Sequence, residues 1–238
     1  VKTQTLEYSL GEKTFIGYLV WDDSLEPPRS GVLVFPEAFG LNDHARYQAE
    51  RLARLGYVAL AADFHGDGKV YSGMADLAPE IMRLYKERDD WRARARVAFD
   101  ALASQPQVDE KKIASIGYCF GGATSVELAR SGAPLKAIVT FHAGIAEARP
   151  EDAGNLQASA LICHGADDTV VKKETVEAAI EEFERENIDW QVNYYGNAAH
   201  SFTNPDADAY QKPGFGYSEQ ADRRSWAAMS QFFDDVLR

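Results

Sequence analysis

The 238-residue sequence is poor in cysteine, in long apolar runs and in positive charge. Its two cysteines, Cys119 and Cys163, could form at most one disulfide, which excludes a disulfide-stapled scaffold and is typical of a reducing compartment. No apolar run approaches the length of a transmembrane helix, so no membrane-spanning segment is predicted. The 25 basic residues stand against 37 acidic ones, a net charge of -12, which argues against nucleic acid or an anionic membrane as a partner.

The first residues, Val1-Lys-Thr-Gln-Thr, lack the pattern of a signal peptide, which favours a cytoplasmic protein. The chain does not begin with methionine, so a leader or tag could have been removed, and a periplasmic or secreted location stays open. With 45% hydrophobic residues the chain can bury a sizeable core. We therefore expect residues 1–238 to form one domain, in a monomer or a homodimer.

Patterns typical of strands and of helices alternate along the whole chain. Half-exposed segments at 3–9 and 14–21 predict an antiparallel hairpin. Buried strands are predicted for the apolar segments 31–35, 57–62, 113–116, 135–141, 160–164 and 190–195, and helices for 43–55, 74–102, 121–129, 174–186 and 219–237. This alternation predicts an α/β fold with a mostly parallel sheet of about eight strands and helices on both faces.

The segment Gly117-Tyr118-Cys119-Phe120-Gly121 has the pattern G-x-C-x-G and lies between a predicted strand and a predicted helix. With serine at its centre this pattern is the nucleophile elbow of α/β hydrolases, a sharp turn that exposes the central side chain. Glycine is needed on both sides because a Cβ there would collide with the strand or the helix. The start of the helix favours a thiolate at Cys119. The alternative is a cysteine that only packs, since cysteine is among the most buried residue types.

Polar residues follow several predicted strands at their carboxyl ends, where the sites of such sheets lie. The order Cys119, Asp168, His200 is the order of nucleophile, acid and histidine in α/β hydrolases, and it predicts that fold. A histidine can take the thiol proton, and a carboxylate can fix its tautomer. Asp167 is a rival to Asp168 for the acid, and Asp168 could instead only cap the next helix.

The remaining histidines do not form a metal-binding pattern. No zinc-ligand pattern has the spacing of His65-Gly-Asp67, His142 and His164. The sequence therefore predicts neither a metal nor another cofactor.

Four segments together resemble the dienelactone hydrolase family over essentially the whole chain. They are Pro36–Asn42, Gly117–Gly122, His164–Asp168 and His200–Phe202. The resemblance implies a catalytic triad of Cys119, Asp168 and His200, with Asp168 as the fourth residue of a Gly-x-x-Asp turn. It also implies that Glu37 lies near Cys119 and helps to form the thiolate when substrate binds. The backbone N–H groups of Ala38 and Phe120 would form the oxyanion hole.

The predicted function is a cysteine-dependent hydrolase of carboxylic esters or lactones that acts through a thioester acyl-enzyme. A thiolate is also a good leaving group, so cysteine suits substrates with activated leaving groups. Two alternatives remain: a thioesterase or other acyl hydrolase on the same triad, and a non-catalytic thiol redox or binding protein. The expected partner is a small-molecule ester or lactone.

The substrate-binding residues follow less directly. Dienelactone hydrolases hold the substrate carboxylate with arginines, and one of these lies four residues after the catalytic histidine, where this chain has Asn204. Arg83 and Arg88 are the candidates for the other arginine. Together with Phe202, these residues form the predicted substrate-binding set.

Overall fold

Eight strands form one sheet in the computed structural model, which describes residues 1–237. The strands are β1 (Lys2–Leu10), β2 (Lys13–Trp21), β3 (Arg29–Phe35), β4 (Val58–Ala61), β5 (Val108–Tyr118), β6 (Ala137–Phe141), β7 (Ser159–Gly165) and β8 (Trp190–Tyr195). Their order in the sheet is β1-β2-β4-β3-β5-β6-β7-β8. β2 pairs antiparallel with β1 and with β4, and every other neighbouring pair is parallel. The predicted hairpin and the mostly parallel sheet are confirmed.

Six α-helices connect or follow these strands in the described part of the chain. They are α1 (Asp43–Arg54), α2 (Met74–Lys86), α3 (Arg88–Ala103), α4 (Phe120–Arg130), α5 (Lys173–Arg185) and α6 (Glu219–Val236). Short 3-10 helices lie at Pro150–Asp152 and Pro205–Tyr210.

Each face of the sheet buries its own apolar core, as expected when helices cover both faces of a parallel sheet. One core includes Trp91 of α3, Phe120 of α4 and Phe183 of α5. The other includes Leu52 of α1 and Phe233 of α6. Every residue of α4 is buried, so the helix that follows the G-x-C-x-G segment is held firmly against the sheet and α3.

The helical region predicted over 74–102 is two helices, which corrects the prediction of one. Glu87 has φ -103° and ψ 58°, outside the helical region, and it separates α2 from α3. Its N–H donates to the Arg83 carbonyl at 2.8 Å, and its own carbonyl accepts from the N–H of Trp91 at 3.1 Å. Neither glycine nor proline lies at this break, so the residue pattern carried no signal for it.

The parallel strands end level with one another. Phe35 pairs with Gly117, Tyr118 pairs with Phe141, and Gly165 pairs with Tyr195. The loops that follow β3, β5, β7 and β8 therefore emerge at one edge of the sheet. These loops carry Glu37, Cys119, Asp168 and His200.

Candidate active site

Cys119 lies in a strained turn between β5 and α4. Its φ of 52° and ψ of -116° are rare for a residue with a side chain, and they lift the thiol out of the strand. A Cβ on Gly117 would lie 2.0 Å from the carbonyl oxygen of Gly121, and a Cβ on Gly121 would lie 2.2 Å from that of Phe35. Both glycines are therefore required by the turn, as the G-x-C-x-G pattern predicts.

Cys119, His200 and Asp168 form a continuous hydrogen-bonded chain. The Cys119 Sγ lies 3.1 Å from His200 Nε2, and His200 Nδ1 lies 2.8 Å from Asp168 Oδ2. The second oxygen of Asp168 accepts the backbone N–H groups of Val170 and Val171 at 2.9 and 2.8 Å. These two backbone bonds hold the carboxylate in place to accept the hydrogen bond from the imidazole. Asp167, the rival acid, is exposed instead.

The charges of this chain favour a protonated imidazole at His200. Burial opposes protonation, but the negative charge of Cys119 and the bond to Asp168 outweigh it and raise the pKa of His200 to about 10. An imidazolium at His200 is a proton donor in contact with the Cys119 sulfur.

Glu37 is buried and holds the loop that follows His200. Its Oε1 accepts the hydroxyl of Ser201 at 2.6 Å, and its Oε2 accepts the Asn204 Nδ2 amide at 2.7 Å. The Asn204 amide also donates to the Tyr210 hydroxyl at 3.2 Å. Both carboxylate oxygens are thus engaged away from the thiol. A direct action of Glu37 on Cys119 when substrate binds would require the carboxylate to leave at least one of these partners.

The two expected oxyanion donors lie on either side of the elbow. Phe120 is the first residue of α4, so its N–H has no acceptor within the helix. Ala38 is partly exposed in the loop after β3, and its carbonyl accepts the Nε2–H of His65 at 2.8 Å. His65 thus holds the Ala38 loop, a contact that the sequence did not predict.

Asp63 in turn anchors the segment that carries His65. Its two carboxylate oxygens accept four backbone N–H groups, from Ile16, His65, Gly66 and Gly68, at 2.8 to 3.1 Å. A carboxylate followed by glycines at the end of a strand was the available signal for this turn.

The four predicted substrate-binding residues do not share a pocket. Arg83 binds Glu80 and Asp90, each at 2.9 Å, and also contacts Glu87. Arg88 donates to the Glu147 carbonyl at 2.7 Å. Arg88 Nη1 also lies 3.6 Å from Glu127 Oε1. The partners of both arginines are thus neighbouring carboxylates and a carbonyl, and none of them is a residue of the triad.

Phe202 and Asn204, the other two predicted substrate-binding residues, are both buried. Phe202 has no exposed surface, and its ring packs against His142 at a centroid distance of 5.3 Å. Asn204 is 1% exposed and is bonded to Glu37. Both residues support the loop around His200 from beneath.

Two rings that the sequence did not indicate pack against His200. His142 lies edge-on to His200 at a centroid distance of 5.2 Å. Phe215 lies edge-on to His200 at a centroid distance of 5.0 Å. His142 Nε2 lies 2.9 Å from the Thr203 hydroxyl. Burial lowers the pKa of His142 well below its usual range, so this ring is neutral beside His200. His142 directly follows β6, the one positional signal that it belonged to the site.

Tyr85 of α2 lies on the opposite side of the elbow. Its ring is edge-on to Phe120 at 6.1 Å and to Trp91 at 4.9 Å. Burial and the negative charge of Cys119 raise the pKa of Tyr85 to about 12. Its hydroxyl is therefore a proton donor throughout the physiological range. No sequence motif marked this residue.

Cys119 and Cys163 are both free thiols in the structure. Within residues 1–237, no three His, Cys, Asp or Glu side chains come together in a way that could hold a metal ion. The same residues contain no helix with the length and apolarity needed to cross a membrane.

The fold and the elbow define the class of protein. A mostly parallel eight-stranded sheet whose β5–α4 turn carries Cys119, with Asp168 and His200 after later strands, is the architecture of an α/β hydrolase. Residues 15–237 match the dienelactone hydrolase family. The chain therefore belongs to this family, and it is a hydrolase acting on ester or lactone bonds.

Individual relatives agree with this assignment. A dienelactone hydrolase-like promiscuous phosphotriesterase from metagenomic libraries is 51% identical, with a TM-score of 0.97 over 100% of this chain and 99% of that one. A protein of Yersinia pestis named as a putative carboxymethylenebutenolidase is 27% identical over 91% of this chain and 82% of its own length. A putative dienelactone hydrolase from Klebsiella pneumoniae, at 24% identity, 98% and 99% coverage and a TM-score of 0.78, shares the fold.

Proposed function

We propose that this protein is a cysteine-dependent hydrolase of carboxylic esters or lactones, with Cys119 as nucleophile, His200 as base and Asp168 as the acid that orients His200. The observation that carries the proposal is the 3.1 Å separation of Cys119 Sγ and His200 Nε2 in the strained elbow. A cysteine that only packs has no need for this conformation or for a histidine that is itself held by a carboxylate.

The reaction follows from these contacts. The Cys119 thiolate attacks the carbonyl carbon, and the N–H groups of Ala38 and Phe120 stabilise the negative oxygen that forms. The carbon–oxygen bond then breaks, and the leaving oxygen takes its proton from the His200 imidazolium. This leaves a thioester on Cys119 and a neutral His200. His200 next removes a proton from water as the water attacks the thioester, and the acid is released with Cys119 again a thiolate.

The nucleophile restricts the substrate. Both sulfur and the alcohol oxygen can leave the tetrahedral intermediate, and a thiolate leaves more readily than an ordinary alkoxide. Hydrolysis therefore competes well only when the alcohol is a good leaving group, such as a phenol or the enol of an unsaturated lactone. Amides are poor substrates on this account.

Glu37 takes a positioning role in this proposal. Through Ser201 and Asn204 it fixes the segment that directly follows His200, and Ser201 has a φ of 58° in the left-handed region. Without this support a residue other than glycine would tend to leave that conformation, and the imidazole would shift with it. The carboxylate thus acts on the reaction through the placement of His200.

Para-nitrophenyl acetate provides the test of the proposed nucleophile and base. Cys119→Ala and His200→Ala should each lower kcat/KM by at least about a hundredfold, because each removes one of the groups that act as a unit. If Cys119→Ala keeps full turnover, the proposed nucleophile is wrong. If His200→Ala does so, the chemistry does not use the triad, and a thiol redox or binding role would fit Cys119 better.

A second candidate activity is the hydrolysis of phosphotriesters, which the 51% identical relative is named for. The same thiolate could attack phosphorus, and the same N–H groups could hold the phosphoryl oxygen. Diethyl para-nitrophenyl phosphate tests this activity directly. Loss of turnover in Cys119→Ala would support this second activity. Equal release of para-nitrophenol by the wild type and by Cys119→Ala would exclude it.

A further inference from the structure

A cavity of about 380 Å³ opens beside the candidate active site, and its wall contains neither a residue of the triad nor one of the two proposed oxyanion donors. This volume is within the range of small-molecule sites. The residues of its wall that matter here are Phe39, Tyr71, Met74, Tyr210, Lys212 and Phe215.

The aromatic part of this wall begins at the catalytic groups. Phe215 packs edge-on against His200 at a centroid distance of 5.0 Å. Tyr210 lies 5.9 Å from Phe215 and 6.2 Å from Phe39, so the three rings form one continuous surface. Phe39 directly follows Ala38, one of the proposed oxyanion donors. A group bound in the cavity would therefore lie next to the reacting atoms.

The cavity offers little to a negatively charged group. Of the described residues in its wall only Lys212 is charged at neutral pH, and Lys212 is exposed. A carboxylate that entered would lose hydration without gaining a buried partner, and an exposed lysine compensates only weakly. An uncharged ring would instead pack against Phe215, Tyr210 and Tyr71 in the edge-on and offset arrangements that aromatic groups favour.

The position of His200 decides which half of an ester occupies the cavity. His200 gives its proton to the leaving oxygen, so that oxygen must come within hydrogen-bond distance of Nε2. Phe215 belongs both to the cavity and to the surroundings of His200. We propose that this cavity binds the leaving-group half of the substrate and selects an uncharged aromatic alcohol. This inference rests on the proposed function, because it states which half of the substrate of that reaction lies in the cavity.

The test introduces charge at the rim of the cavity. Met74 is 46% exposed and lines the cavity, whereas Met82 is 61% exposed on the same helix α2 and is not part of the wall. Met74→Lys and Met74→Glu are compared with Met82→Lys and Met82→Glu, which change the net charge equally. The substrates are methyl para-acetoxybenzoate and the anion para-acetoxybenzoate, which differ in the charge of the leaving phenol. Trifluoroethyl acetate, whose small leaving group does not reach the wall, reports on the triad.

The wild type should prefer the neutral aryl ester by at least about tenfold in kcat/KM, because the anion loses hydration in the cavity. Met74→Lys should raise kcat/KM for the anionic ester by about fivefold and Met74→Glu should lower it by a similar factor, as expected for one partly exposed charge pair. The Met82 variants should leave the ratio of kcat/KM for the neutral and the anionic aryl ester unchanged. A wild type that prefers the anion would overturn the inference, as would equal effects of the Met74 and Met82 variants.

A second pair of esters checks that the cavity holds the leaving-group half of the substrate and not the acyl half. Trifluoroethyl benzoate and its para-carboxylate carry the aromatic group, neutral or anionic, on the acyl side. Met74→Lys should not change their ratio, and a change here instead of in the aryl acetates would show that the cavity holds the acyl half. If the proposed function itself fails, Cys119→Ala will still hydrolyse trifluoroethyl acetate, a result that none of the Met74 outcomes can produce.

Discussion

Glu37 and Asn204 are joined by a 2.7 Å hydrogen bond between the loop after β3 and the loop after His200. This bond joins the carboxylate that was expected to act on Cys119 to the loop that follows the proposed base, His200. A carboxylate that activated the thiol would work better when freed from Asn204. One that holds the loop would work worse. The two roles therefore predict opposite effects of the same change.

Asn204→Ala should lower kcat/KM for para-nitrophenyl acetate by about tenfold, because it removes a hydrogen bond to the buried carboxylate. Glu37→Gln should do the same, because it removes the charge that strengthens this bond. The double variant should be little worse than either single one, since both act through one contact. Steady-state kinetics of the four proteins provide the measurement. Faster turnover in Asn204→Ala would favour the activating role instead.

The pKa of His200 depends on the charge of Cys119, and removing that charge should lower it. In the wild type the negative sulfur and Asp168 together raise the pKa of His200 to about 10. In Cys119→Ala only the bond to Asp168 remains, so the imidazole should lose its proton at a lower pH. An NMR titration with labelled histidine would follow the change, with His200→Gln to assign the signal. Identical titration curves would mean that Cys119 is not a thiolate beside His200.

His142 should make folding stability depend on pH in the acidic range. Burial lowers the pKa of His142 in the folded state, so below its ordinary pKa of about 6.5 the unfolded chain binds more protons than the folded one. Stability from the neutral ring is therefore present above about pH 6.5 and falls at lower pH, by up to about 1.4 kcal/mol per pH unit for one proton.

The matched variant is His142→Asn, because asparagine tolerates the left-handed φ of 43° at this position. Urea unfolding at pH 5 and pH 7.5 should give a smaller loss of stability for this variant than for the wild type. The other buried histidines are present in both proteins, so most of their contribution cancels in the difference. If the unfolding free energy falls by the same amount between pH 7.5 and pH 5 in both proteins, a neutral His142 is contradicted.

The glycines of the elbow should be intolerant of any side chain. Gly117→Ala would place its Cβ 2.0 Å from the Gly121 carbonyl oxygen, where neither backbone can move without disturbing β5 or α4. We expect a loss of more than about 3 kcal/mol in unfolding free energy, or no folded protein. Gly196→Ala is the control, since nothing lies within 4 Å of a Cβ there. Thermal unfolding of both variants tests this, and a stable Gly117→Ala protein would show that the turn is looser than described.

Much of this fold could be predicted because its signals are local. Apolar runs marked the buried strands, and the glycines around Cys119 marked the turn that those strands require. The order of Cys119, Asp168 and His200 could also be read from the sequence, since each residue lies in the turn or loop that follows its own strand. Hydrogen bonds at 3.1 and 2.8 Å now join the three side chains.

The missing parts depend on contacts between distant segments. Glu37 meets Asn204 across 167 positions of the chain, and no spacing within either segment predicts their bond. The guanidinium of Arg83 was available in the sequence but is occupied by Glu80 and Asp90 once α2 and α3 fold against each other. The cavity joins Met74 of α2 to Phe215, so its chemistry emerged only from the packed chain.

The most direct measurement of the central claim is the mass of the protein during turnover. The wild type is mixed with excess para-nitrophenyl acetate, quenched in acid within milliseconds to seconds, and digested for mass spectrometry. The account predicts one acetyl group on the peptide that contains Cys119, present during turnover, gone when the substrate is exhausted, and lost on treatment with neutral hydroxylamine. Steady hydrolysis with Cys119 unmodified at every time, or with the acetyl group on another residue, would contradict it.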